Sequence, residues 1–251
     1  MTTHPAGLDW AWATDTGGNL TAAQRRHLLL TLPRTVAGFA PGRVRLALGR
    51  RGTGRVEFDG LRLPDTPLAK AAEEHARETL SDALLAHSFR TYFFARALAD
   101  LDRASYDDEI AYVSSLLHDI ALEKPTPGRC FAVVGAQSAV AFAHRHGAEP
   151  DRAETIGAAI AAHLTPGIAA NLSDPGGFVS AGASVDVLGD RLADLDPTWT
   201  ADLLTRHPRH HFKREITTAF AAEAAAVPDG RIAWLSRTGF TQLIALAPFA
   251  E

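Results

Sequence analysis

The chain has 251 residues, 46% of them hydrophobic and 22% charged, with a net charge of −4, which is enough for one well-buried core of ordinary globular character. The negative charge argues against a dedicated nucleic-acid binder, and no apolar run approaches the length of a membrane span. The single cysteine, Cys130, excludes an intrachain disulfide framework and a cysteine-rich zinc site. That cysteine usage, and first residues without a basic start followed by an apolar stretch, lead us to expect a reducing, cytoplasmic setting.

In chain order, roughly the first twenty residues are rich in Gly, Thr and Asp and read as an irregular lead-in, tacked to the body by Trp10 and Trp12. Thr21 is placed to cap a short helix through Leu28–Leu30 that should end before Pro33. Residues 44–48 and 56–58 flank a glycine-containing turn and predict a β-hairpin. The arginines at 43, 45, 50, 51 and 55 then fall on its solvated face. From Pro67 the pattern is helical, running over 68–86 and on to Leu101, with His87, Thr91 and Phe94 sharing one face. Residues 106–119 form a further helix, with Asp107, Asp108 and Glu109 in its first turn, where the dipole favours acids. Residues 122–129 are a loop, 131–146 a helix stopped at Gly147, and 152–163 a helix ended before Pro166. Residues 168–178 read as a loop, and 180–192 as a helix carrying Asp186. A short element over 201–204, a helix over 209–226, and one or two last helices over 230–247 complete the chain. The expected fold is all-α: an N-terminal extension over 1–60 with the short helix and hairpin, then a helical bundle over 61–251.

The pair His118-Asp119 emerges where the apolar run 110–117 finishes. His87 and Asp186 sit upstream and downstream on equally apolar helices. Burying so many ionisable groups is costly unless something compensates. A divalent cation bound by imidazole and carboxylate compensates directly. At a helix end the backbone can turn, so that adjacent His and Asp side chains both reach one ion. The alternative is a simple buried ion pair. Two imidazoles and two carboxylates suit zinc, iron or manganese better than calcium or magnesium, which prefer all-oxygen shells.

Six stretches strengthen the metal reading: residues 63–68 (LPDTPL), 87–92 (HSFRTY), 115–120 (SLLHDI), 131–136 (FAVVGA), 159–165 (AIAAHLT) and 182–189 (GASVDVLG). With these the chain resembles the HD-domain superfamily over roughly residues 60–250, and more closely its cyanamide hydratase-like branch. The resemblance implies an HD-domain helical bundle in which His87, His118, Asp119 and Asp186 bind one divalent metal ion, zinc by preference with iron or manganese also suited. It implies an enzyme that adds metal-activated water to a small polar molecule, a cyanamide or nitrile-like compound. In that branch a histidine near the site corresponds to His163, which could be a further ligand, a general acid or base, or a core histidine. Thr165 could orient the same water or substrate. Two-metal oxygenases of the superfamily carry a histidine where this chain has Phe131, so the resemblance points to one metal.

Arg90, three residues after His87, could orient a carboxylate ligand or a substrate, or pair with a structural acid. Asp190 rivals Asp186 for the last ligand position, and Arg191 and Arg152 are candidate partners for it. The cluster His207-Pro-Arg-His-His211 has the composition of a metal site but not the spacing of one. His144 and His146 read as solvent-exposed. Two other function classes stay open. A phosphohydrolase would need cations near the metal, and Arg90, Lys124 and Arg209 are available. A non-catalytic ligand-binding protein would keep a degenerate pocket. In each case the partner is a small molecule, with no nucleic acid and no membrane, and the apolar tail 243–249 could pack internally or form a homo-oligomer interface.

Overall fold

The computed structural model describes residues 7–251. Among these there are twelve α-helices and no β-strand: α1 (Trp10–Thr16), α2 (Ala22–Ala47), α3 (Pro67–Thr79), α4 (Asp82–Asp102), α5 (Asp108–Leu117), α6 (Phe131–Arg145), α7 (Pro150–Ala162), α8 (Pro175–Leu188), α9 (Pro197–Arg206), α10 (Phe212–Ala226), α11 (Arg231–Arg237) and α12 (Phe240–Ala245). The expected all-α fold is observed. No described helix is long and apolar enough to cross a membrane.

Local chemistry sets most helix starts. The side chains of Thr66, Ser81, Asp107, Asp174 and Asp196 each accept a hydrogen bond from the backbone N–H three residues on. This satisfies one of the donors that a helix start leaves free. The pattern expected to run unbroken from 68 to 101 is split at Leu80, which is extended. Ser81 then caps α4 and donates its backbone N–H to Glu123. The loop expected over 168–178 also differs: a 3-10 turn spans Ile168–Ala170, and Asp174 with Pro175 starts α8 early.

Helix α4 is the centre of the bundle, with fifteen buried residues, and it packs against α5, α8, α9 and α10. Its closest partner is α8. A Cβ at Gly182 would stand 1.9 Å from the carbonyl oxygen of Thr91, so only glycine permits this approach. Gly182 faces Thr91 and Asp186 faces His87, so the two helices run antiparallel and bring their polar residues together one turn from the tight contact.

The N-terminal segment departs from expectation. The lead-in lies outside the described residues over 1–6, and its remainder contains α1, whose Trp10 indole donates to Glu154 of α7. The predicted hairpin does not form. Instead α2 continues through Pro33 and Pro41 to Ala47. It is started by a capping box between Thr21 and Gln24 and held at its far end by tertiary bonds. Arg43 donates to the carbonyls of Leu188 and Leu246, and Arg45 donates to Ala193 and Asp194. These two arginines therefore clamp α2 to the body and do not decorate a solvated ribbon. Residues 50–58 follow as irregular chain, in which Gly54 pairs with Leu195 through a single bridge. A proline inside a helix costs about 3 kcal/mol, so these distant bonds explain how α2 persists where local rules would end it.

Candidate metal centre

Helix α5 ends at Leu117, and His118 is its C-cap. Helix α7 ends at Ala162, and His163 is its C-cap. Each histidine turns its ring back along its own helix, so that Nδ1 bonds the carbonyl three residues earlier: Ser115 at 2.8 Å for His118, and Ile160 at 2.6 Å for His163. The last carbonyls of a helix lack partners, and a histidine there can supply one. A carbonyl only accepts, so both Nδ1 atoms carry the proton. Burial lowers the pKa of His118 against the opposing pull of Asp119. Burial together with the neighbouring His118 lowers that of His163 well below its ordinary value. Both rings are therefore neutral and present a bare Nε2.

His87, in the middle of α4, has its Nδ1 2.7 Å from Asp186 Oδ2. Burial works to raise the Asp186 pKa, but Arg90, His87 and Arg209 together outweigh it and hold the carboxyl well below the usual range. The carboxylate accepts, so His87 also spends its Nδ1–H away from the centre. Three imidazole Nε2 atoms and the Asp119 carboxylate remain, all buried. His87 Nε2 and His118 Nε2 are 3.2 Å apart. Asp119 Oδ2 lies 3.4 Å from His118 Nε2 and 3.7 Å from His87 Nε2. Two imidazole lone pairs this close repel unless a cation stands with them. Donor atoms sharing one ion at about 2.0–2.2 Å from it are themselves about 3–3.5 Å apart, which is close to the spacing of this triangle. His87, His118 and Asp119 could thus hold a divalent ion, and they are grouped with all ligand atoms within 4.8 Å of one another.

Asp186, expected as the fourth ligand, stands behind the His87 ring and outside that group. Its Oδ1 accepts from Arg90 Nε at 2.8 Å and Arg209 Nη1 at 2.7 Å, and its Oδ2 from Arg90 Nη2 at 2.8 Å as well as from His87. A carboxylate behind a ligating histidine fixes the tautomer and orientation of the ring. Arg90 is fully buried and also donates to the carbonyls of His207 and Pro208. Of its readings, the one observed is pairing with a buried acid, Asp186. Arg209 also donates its Nε to Glu251 at 3.0 Å, while its Nη2 is buried without a partner.

His163 adjoins the triangle, its Nε2 3.7 Å from the other Asp119 oxygen, Oδ1. The ring of Phe131 lies 5.9 Å from that of His163, so this wall of the site is apolar. Thr165 is buried, and its hydroxyl accepts from Arg231 Nη1 at 3.2 Å. His87, His118, Asp119, His163 and Thr165 all face one cavity of about 460 Å³.

The remaining candidates lie elsewhere. Asp190 lines the same cavity at a distance from the triangle, and Arg152 bonds Asp107 and Glu109 instead of it. His207 stacks on Phe89 at 4.8 Å, while His210 and His211 are exposed at positive φ, so no ligand group forms there among the described residues. His144, His146 and Lys124 are exposed. Two contributors were not singled out from sequence. One is Arg231, which a lone arginine in a surface-like pattern does not betray. The other is the wall supplied by α2, which is hidden by reading Pro33 and Pro41 as breakers.

No curated protein matches the chain. Residues 84–206 match the HD domain family, a span that contains all three residues of the triangle together with His163 and Asp186, and the match supports the HD-domain superfamily and with it a metal-dependent hydrolase ancestry.

Proposed function

We propose that the chain is a metal-dependent enzyme that adds water to a small polar molecule, with a cyanamide or nitrile-like C≡N group as the substrate. The supporting observation is the convergence of three possible ligand atoms, His87 Nε2, His118 Nε2 and Asp119 Oδ2, 3.2–3.7 Å apart and buried. His87, His118 and Asp119 would hold the ion, zinc by preference, with iron and manganese suited to the same donors. A divalent ion held there supplies Lewis acidity and makes water nucleophilic near neutral pH. The branch resemblance supplies the C≡N substrate.

Hydration of C≡N needs no oxidant: an O–H bond of water and one C–N π bond break, a C–O bond forms at carbon and an N–H bond at nitrogen, and the imidic acid so formed moves its O–H proton to nitrogen to give the amide. His163 would carry that transfer. Its Nε2 is neutral, points to Asp119 Oδ1, and can take the proton and return it to nitrogen. Thr165 accepts from Arg231, which leaves its own hydroxyl proton free to donate to the substrate nitrogen as charge develops there. Asp186, held by Arg90 and Arg209, would position His87 and not the ion.

Elemental analysis of the purified protein tests the reading. Wild type should carry about one zinc, iron or manganese per chain, Asp119→Ala none, and His144→Ala the wild-type amount. Two ions per chain, or loss of metal in His144→Ala, would overturn the single-metal assignment. With metal confirmed, release of urea from cyanamide or of amides from nitriles decides the reaction.

A further inference from the structure

The cavity above the triangle is much larger than a C≡N head requires. It encloses about 460 Å³, whereas one water takes about 30 Å³ of liquid, so a cyanamide-sized molecule would leave most of it empty or wet. Much of its wall away from the cluster is apolar and comes from helices far apart in sequence: Phe39 of α2, Ile216 and Phe220 of α10, Phe240 of α12. A large apolar pocket with a few polar groups at one end is suited to a ligand with an apolar body and a polar head.

The charges around it point to a neutral ligand. Among the described residues, Arg191 is the one arginine or lysine lining the cavity. All three of its guanidinium nitrogens are occupied, two by Asp102 and one by Asp194. Asp190 beside it adds an acid to the wall. Arg90 and Arg209 are paired with Asp186 behind His87, and Lys124 is exposed in its loop. Arg231 has no ion pair among the described residues, but it stands behind Thr165 and outside the cavity lining, donating to Ala161, Thr165 and Cys130. On the described wall itself, a phosphate ester would therefore meet no cation free of an acid.

On the hydratase reading above, we infer that the substrate is an uncharged alkyl or aryl nitrile or substituted cyanamide, its C≡N head at His163 and its apolar body in the cavity between α2, α10 and α12. Free cyanamide and phosphate esters are then poor ligands.

Isothermal titration of the zinc-loaded full chain with n-alkyl nitriles from propionitrile to octanenitrile tests this, with alkyl phosphates of matching length and cyanamide alongside. Affinity should tighten about four-fold per added methylene until the cavity is full, the fold-change of about 0.8 kcal/mol per buried methylene, and each phosphate should bind more weakly than its nitrile. Leu243→Glu, which charges a half-buried wall position, should abolish the gain for the longest nitriles. A series flat in chain length, phosphates that bind more tightly than the matching nitriles, or a length dependence unchanged in a folded Leu243→Glu overturns the inference. The reaction is judged separately by product. Hydration of cyanamide with a flat binding series would sink the inference and keep the hydratase, whereas length-dependent binding without amide formation would keep the inference and sink the hydratase.

Discussion

Replacing Asp186 with Asn tests the assignment of this residue to the histidine and not to the ion. The wild-type carboxylate accepts four bonds of 2.7–2.8 Å, two from Arg90, one from Arg209 and one from His87. All of these groups are buried. An amide of the same shape keeps one acceptor and turns the other into an NH₂ that faces N–H donors. Breaking a buried ion pair costs about 3–5 kcal/mol. Arg90 retains two carbonyls and Arg209 retains Glu251, so we expect the lower end, about 3 kcal/mol, in urea unfolding of the metal-free protein. The effect on metal should be of another kind. Loss of the carboxylate behind a ligating histidine weakens metal binding about 10–100-fold, about 1.4–2.7 kcal/mol, while stoichiometry stays at about one ion per chain. Chelator competition gives the affinity, and the visible spectrum of the cobalt-substituted protein reports whether the donor set is unchanged. An Asp186→Asn protein that folds with nearly wild-type stability yet binds no more metal than Asp119→Ala would show that Asp186 is a ligand, and the reasoning from its four bonds would be wrong.

Other consequences follow from the same geometry. Gly182→Ala drives a methyl onto the Thr91 carbonyl at 1.9 Å, so α4 and α8 must separate; thermal unfolding should show a loss of about 3 kcal/mol or more, with weaker metal binding because Asp186 and His87 sit one turn away. Burial, with Arg90, Arg77 and Arg206 nearby, lowers the His207 pKa to about 4, so the unfolded chain takes up this proton first, near pH 6.5. The associated stability is complete above that pH and is lost as pH falls from about 6.5 to about 4, by no more than about 3 kcal/mol. Urea titrations of His207→Phe, which keeps the stacking on Phe89, should show a shallower fall over that window, and an identical slope would refute the assignment. Zinc at a hundred times its Kd should stabilise wild type by about 2.7 kcal/mol and leave Asp119→Ala unmoved, which calorimetry can read directly.

The parts of this protein that were legible in its sequence are those fixed within a few residues. The helix over 108–117 was visible in its acidic first turn and apolar run, and the turn after it in the His-Asp pair itself. The capping role of His118 is local too, since its partner is the carbonyl of Ser115, and His163 repeats the device on α7. Three features needed distance. The side of the His87 ring on which Asp186 falls depends on how closely α8 approaches α4, and the sequence marks this only by a glycine four residues before the acid. The length of α2 depends on carbonyls at 188, 193 and 246 that receive Arg43 and Arg45, so rules that weigh Pro33 and Pro41 locally end the helix too soon. The size of the cavity depends on α2 in turn, because Phe39 reaches it only if the helix continues.

This division has a chemical consequence. Of the donors that would hold an ion, His118 and Asp119 are set by short-range geometry at the end of α5, where His118 also satisfies the Ser115 carbonyl. The walls that would choose a substrate come from α2, α10 and α12, and none of the residues of the triangle constrains them. Related chains could therefore keep every ligand and change substrate by altering α2 alone. The pocket-wall titrations are for that reason more informative about this chain's particular activity than any substitution at the metal.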